Sequence, residues 1–212
     1  DIRVPLGSFI VAAAQTRQET LVFTDASLHS LQYLGAPYTF SLQTLSNNTS
    51  LVGPNAWVTV NNVTYWMGTD KFYAYSGRVE TLPCSLRRFV FSNIDLSQAQ
   101  QVFAGVNEQF GEIMWFYCTQ GSYVIDRCVT YNYLENIWYY GSLSRTAWVD
   151  SHSRGKPFAT NNNILYEQEV GNDACDDFYG NDPQPIVAYI ESADFDIDDG
   201  DHFSFIKRII PD

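Results

Sequence analysis

The chain has 212 residues, with 24 acidic side chains against 12 basic ones and a formal charge of -12, a balance that argues against general affinity for nucleic acid or an anionic membrane. Hydrophobic residues make up 45% and aromatic residues 16%, while charged residues reach only 17%, so the chain is not an acidic disordered tail and can bury the core of one large domain or two small ones. Aromatic and β-branched residues are abundant and helix formers never cluster over a long stretch, which points to an all-β fold.

No apolar run approaches the roughly 20 residues of a membrane span. The longest, Phe9 to Ala14, is far shorter, and the start of the chain has no signal-peptide pattern. The chain begins at Asp1 rather than Met, and is read on that ground as a processed product or a fragment of a longer chain. Cys84, Cys118, Cys128 and Cys175 form no C-x-x-C pair and have no His at zinc-finger spacing, so they read as reduced, partly buried thiols. A disulfide between Cys118 and Cys128 across a hairpin is the alternative.

Alternation of apolar and polar residues predicts short strands in groups of four. The first group is Phe9 to Ala14, Thr20 to Phe23, Leu28 to Leu34 and Tyr38 to Leu42, punctuated by Thr24-Asp25 and the Gly35-Ala36-Pro37 corner. The second is Ala56 to Val60, Val63 to Met67, Lys71 to Tyr75 and Arg78 to Leu82, with turns at Asn61-Asn62, Gly68-Thr69-Asp70 and Ser76-Gly77. Residues 83 to 100 connect it to the third, with a short helical turn expected at Leu96 to Gln101.

The third group is Val102 to Asn107, Glu112 to Tyr117, Asp126 to Leu134 and Ile137 to Leu143, turning at Gln120-Gly121-Ser122 and Glu135-Asn136. The fourth is Phe158 to Thr160, Ile164 to Glu169, Ile186 to Ile197 and His202 to Ile210, closed by an Asp199-Gly200 hairpin.

The groups resemble one another. Their second strands read "TLVF", "VTYW", "IMWF" and "NILY", followed by aromatic runs such as "KFYAYSG" and "CVTYNYLE". Four-stranded units repeating every roughly 40 to 50 residues are the signature of β-propeller blades. The expected architecture is a β-propeller of four-stranded antiparallel meander blades, at about 8–44, 51–91, 101–147 and 156–212. Small residues suit the narrow inner strands, at Ala12-Ala13-Ala14, Ala56 and Ala104-Gly105, while Tyr139, Tyr140, Phe203 and Phe205 sit on outer ones. A β-sandwich or two small barrels are the alternatives.

Chemistry is sparse. His29, His152 and His202 fall at no metalloprotease spacing, and Gly141-Ser142-Leu143-Ser144 lacks the second Gly of a nucleophile elbow. Gly155-Lys156-Pro157 has no phosphate-cradling loop before it, and His152 and Lys156 are expected in an exposed loop between blades. Asp194 to Asp201 carries alternate carboxylates, but an EF-hand would need Gly at Asp199 and Glu at Phe205. Asp198, Gly200 and Phe203 partly fit the Asp-box of sialidase-like propellers, with Asp196 and His202 in place of its Ser and Thr. The reading adopted is a strand with solvent-facing Asp closed by a hairpin, with a calcium loop and a glycan-related turn as alternatives. Trp138 to Tyr140 are read as packing residues rather than a sugar platform. No catalytic, cofactor-binding or metal-binding residue is assigned.

Four extended phrases carry a resemblance: "TDASLHSLQYLGAPYTF" at 24 to 40, "YWMGTDKFYAYSGRVETLPC" at 65 to 84, "RCVTYNYLENIWYYGSLSRTAW" at 127 to 148 and "AYIESADFDIDDGDHFSFIKRIIPD" at 188 to 212. In them the chain resembles the propeller region of tail nozzle proteins of short-tailed bacteriophages, also described as tail tubular protein B or packaged-DNA stabilisation proteins. The resemblance implies a non-enzymatic virion protein, assembled in the host bacterial cytoplasm, that forms a hexameric ring below the portal and its adaptor. It would retain packaged double-stranded DNA and conduct it during ejection without binding it specifically, and would involve no membrane or cofactor. Family members are longer and carry a platform part not seen here. A carbohydrate-binding or glycan-hydrolysing propeller used in receptor recognition is the alternative.

Overall fold

The computed structural model describes residues 3–150, 155–174 and 184–185. The chain divides into two compact units, Asp1–Val170 and Gly171–Asp212. In the second, the described residues pair as β16 (Asp173–Ala174) with β17 (Gln184–Pro185). In the first, the fold is β, built from antiparallel sheets in which each strand pairs with its neighbour in sequence.

The first sheet is β1 (Ile10–Gln15), β2 (Thr20–Thr24), β3 (Leu28–Tyr33) and β4 (Phe40–Ser46). The second is β5 (Trp57–Val60), β6 (Val63–Met67), β7 (Phe72–Tyr75) and β8 (Val79–Leu82). The third is β9 (Phe103–Asn107), β10 (Glu112–Tyr117), β11 (Arg127–Asn132) and β12 (Ile137–Gly141), and the fourth is β13 (Ala147–Val149), β14 (Phe158–Asn161) and β15 (Ile164–Glu167).

Turn chemistry sets these pairings. Asn61 and Asn62 both adopt positive φ, +49° and +65°, as the two-residue hairpin turn that matches strand twist requires. Asn162 and Asn163 repeat the device at +48° and +62° between β14 and β15. Where one strand must be buried on both faces, alternation gives way to a continuous apolar run. In β10, Ile113, Trp115 and Tyr117 enter the main core with Trp66, Phe72 and Val129, while Met114 and Phe116 enter a smaller core with Ile125 and Cys128.

Tryptophans join one sheet to the next. Trp115 Nε1 donates to the Ala56 carbonyl at 3.2 Å, tying β10 to the start of the second sheet, and its ring lies 4.9 Å from Phe72. Trp138 Nε1 on β12 donates to the Pro83 carbonyl just after β8 at 2.8 Å. Trp148 Nε1 on β13 donates to the Val106 carbonyl on β9 at 2.7 Å. The first strands are thereby brought together: Asn55 bridges to Phe103, Ala104 N–H donates to the Asn55 carbonyl at 2.8 Å, and Trp148 covers Gly105. The first and second sheets meet through an edge-on contact of Phe23 with Trp66, centroids 5.3 Å apart.

The predicted groupings hold for the first three sheets, with differences of detail. Pairing of β4 starts at Phe40 rather than Tyr38: the chain bends at Ala36 and Pro37, and the corner is closed by the Leu34 N–H donating to the Thr39 carbonyl at 3.2 Å. The connection at 83–100 contains a seven-residue helix, α1 (Arg87–Asn93), with Val90 fully buried, before the expected turn appears as a 3-10 segment at Leu96–Gln101. The fourth sheet opens with β13, ahead of the expected Phe158, and has three strands among the described residues. The strands expected at Ile186 to Ile197 and His202 to Ile210, with Phe203 and Phe205, lie outside the described residues.

A Cβ on Gly105 would sit 2.8 Å from Trp148 Cδ1. Gly105→Ala is expected to lower stability by about 1–3 kcal/mol. Gly141→Ala meets only Cys128 Sγ at 3.9 Å and should change it by less than about 0.5 kcal/mol. Urea unfolding of the two variants checks the contrast.

Candidate functional site

Half-buried carboxylates occupy two places where strands from different parts of the chain converge. The turn from β1 to β2 is closed by mutual bonds of Thr16 and Glu19, with Thr16 N–H donating to the Glu19 carbonyl at 2.9 Å. This turn presents the Glu19 carboxylate to three donors: the Tyr75 hydroxyl of the second sheet at 2.6 Å, Gln32 Nε2 at 3.2 Å, and the Ser30 hydroxyl. Burial pushes its pKa up, but the bonds from Ser30, Tyr75 and Gln32 prevail and hold it below the ordinary carboxylate value.

Glu112, at the start of β10, has the opposite balance. Burial raises its pKa, a bond from the Tyr139 hydroxyl works against this, and the like charge of Glu169 adds to the rise. Asn107, fully buried, places its Nδ2 at 3.2 Å from Glu169 Oε1 and 3.5 Å from Glu112 Oε2. Two carboxylates about one amide have the outline of a glycosidase pair. Neither lines either of the two cavities of about 530 Å³ that open on this unit. Through Asn107 the arrangement ties β9 and β10 to the segment after β15, and it adjoins neither of these cavities.

Ser27 Oγ lies 2.8 Å from His29 Nε2, the contact expected of an activated nucleophile. The third member is a hydroxyl, Thr44 Oγ1 at 3.2 Å from His29 Nδ1, where a triad needs a carboxylate. Ser27 also contacts Thr24 Oγ1 at 2.7 Å and donates to the Leu6 carbonyl at 3.1 Å. His29 is 0% and Ser27 1% exposed, so no substrate reaches them, and the network cements the first sheet.

In each of the first three sheets the connection between second and third strands carries one aspartate, a repetition that strand alternation does not reveal. Asp25 accepts the Ser8 N–H at 2.7 Å, a bond that lowers its pKa. Asp70 pairs with Arg87 at 3.1 Å, and Asp126 accepts the Thr119 N–H at 2.9 Å and its hydroxyl at 2.6 Å. Asp25 and Asp70 line one cavity of about 370 Å³ with Asn48, Ser50 and Lys71.

The other residues singled out from sequence are dispersed. Ser144 donates to the Ile125 carbonyl at 2.5 Å, and Lys156 donates to the Glu169 carbonyl. Trp138 packs on Phe72, Trp115 and Tyr131, as expected of a packing residue, while Tyr139 and Tyr140 remain 39% and 44% exposed. Cys84, Cys118 and Cys128 are free thiols, and burial pushes Cys84 up to about 11. His152, Cys175, His202 and Asp194 to Asp201 lie outside the described residues. Among the described residues, no group of three or more His, Cys, Asp or Glu is placed to hold a metal, and no helix is long and apolar enough to cross a membrane. No protein-family model and no curated protein matches the chain.

The two carboxylates give opposite pH signatures. Glu19, with its depressed pKa, stabilises the fold above the ordinary carboxylate range and loses that contribution as pH falls through its folded pKa. Glu19→Gln should cost about 1–2 kcal/mol at neutral pH, and the deficit should vanish in acid. Glu112, with its raised pKa, contributes fully below that range and loses its contribution as pH rises through its folded pKa. Glu112→Gln should therefore gain on the parent as pH rises. Urea midpoints from acid to neutral pH check both signs.

Proposed function

We propose that this chain is a structural component of a short-tailed bacteriophage tail, a nozzle protein that retains packaged DNA and conducts it during ejection. The observation that carries the reading is the side-by-side placement of β5, β9 and β13, the first strands of three consecutive sheets, through Asn55, Ala104 and Trp148. Sheets that share an inner rim and lead outward strand by strand are the arrangement of propeller blades, the architecture that the four resembling phrases imply. Ala56 and Gly105, both buried at that rim, are small as a narrow wedge demands.

The net charge of -12 supports a conduit. A wall that carries the sign of the DNA backbone repels phosphates and forms no long-lived contacts with the passing duplex. The chain then acts as a homo-oligomer, a hexameric ring below the portal and its adaptor in the virion tail, with no catalytic residue. The specific alternative, a glycan-hydrolysing propeller, is not favoured by Glu112 and Glu169, which adjoin neither of the larger cavities.

Mass photometry and negative-stain imaging of the full-length protein and of intact particles test the assignment. A six-fold ring at a capsid vertex containing this chain is the expected result. A protein that stays monomeric and is absent from particles overturns it, whatever ligand it binds.

A further inference from the structure

Where the second, third and fourth sheets meet, a cavity of about 530 Å³ opens between β5, β9 and β13. Its size falls in the range of small-ligand sites, roughly 300–1,000 Å³. Aromatic rings of Trp57, Phe103 and Trp148 line it, with side chains of Asn55, Gln101 and Thr146 among its polar members. No charged residue lines it, in a chain with 24 acidic and 12 basic side chains. A phosphate, a nucleotide or a metal ion would find no counter-charge there.

We infer that this cavity binds a neutral saccharide unit. The aromatic rings are fixed before any ligand arrives. Trp57 Nε1 donates to the Pro54 carbonyl at 3.1 Å and Trp148 Nε1 to the Val106 carbonyl at 2.7 Å, so the indoles have no donor left and offer a ligand their hydrocarbon surfaces. Phe103 stacks on Phe116 at 4.7 Å and 12°, and Phe116 on Trp148 at 6.0 Å and 30°, making one stiff wall. Such surfaces suit the C–H face of a pyranose ring, which is apolar on its flat sides and polar around its edge.

The edge hydroxyls need uncharged donors and acceptors: the Asn55 amide can supply both, while the Thr146 hydroxyl, already bonded to the Thr160 carbonyl at 3.1 Å, serves as an acceptor. Gln101 Nε2 is held by Gln98 Oε1 at 2.7 Å and the Tyr123 carbonyl at 3.1 Å, which orients the amide and leaves Oε1 as the acceptor. Asn55, Gln101 and Thr146 are exposed, so the polar members stand at the mouth, where ligand hydroxyls would remain partly hydrated. A site whose rings are already ordered loses little entropy on binding, which favours even a small ligand. This inference does not rest on the tail assignment, because the cavity belongs to one copy of the chain.

The test uses the full chain, with glucose, galactose, mannose, N-acetylglucosamine and a neutral trisaccharide as probes, read by calorimetry and tryptophan fluorescence. At least one probe should bind saturably, with an affinity unchanged between about 50 and 500 mM salt. Trp57→Ala should weaken it about tenfold or more, and Gln101→Ala, outside the core, about three- to tenfold with an unchanged unfolding midpoint. Binding by none of the probes, or binding that both variants leave intact, overturns the assignment. So does a cavity that takes a proline-rich peptide and no sugar. Oligomeric state enters none of these readouts, so this assignment and the tail assignment fail independently.

Discussion

The fold depends on a directional bond added to a non-directional force. Burial of apolar surface, about 25 cal/mol per Å², would hold successive sheets together in many relative positions. An indole that must find an acceptor for its one N–H admits far fewer. Trp115 is fully buried at a junction and Trp138 and Trp148 are half-buried at theirs, and each donates to a carbonyl in the preceding sheet or one residue outside one of its strands. The net worth of each bond is about 1 kcal/mol, but leaving a buried donor such as that of Trp115 unpaired costs about 1–3 kcal/mol, so slipped packings there are penalised more than the correct one is rewarded.

The junction of the first and second sheets is built differently. Trp66 is fully buried against Phe23 and Tyr73, and among the described residues its Nε1 has no acceptor. Direction comes there from Glu19, whose carboxylate gathers donors from its own sheet and the Tyr75 hydroxyl from the next. That junction is therefore titratable, while the indole bonds of the third sheet rest on neutral donors.

Much of this fold is legible in the sequence because turns and alternation are local properties. Asn61-Asn62 marks a hairpin whatever surrounds it, and "VTYW" reads as a strand from its own residues. Elements that depend on distant partners are not legible. β13 is three residues long, Ala147–Val149, and is a strand because Trp148 finds Val106 and Gly105. Helix α1 has seven residues, too few for a helical period to declare itself, and is held by Val90 and by Phe91 against Phe72. The sugar-sized cavity draws its rings from Trp57, Phe103 and Trp148, which no spacing rule connects. The small residues of the first strands, such as Gly105, are visible in the sequence, but the Trp148 ring that Gly105 makes room for is not.

The order of donor and acceptor along the chain has a consequence for synthesis. Ala56 precedes Trp115, Pro83 precedes Trp138 and Val106 precedes Trp148. A chain leaving the ribosome from its N-terminus thus displays each carbonyl before the indole that will seek it exists. The third and fourth sheets can each dock on one already made, and none of these three indoles has to wait for a partner still to be translated. The order of these bonds suits vectorial growth, in which the earlier portion of the chain serves as the template for the next.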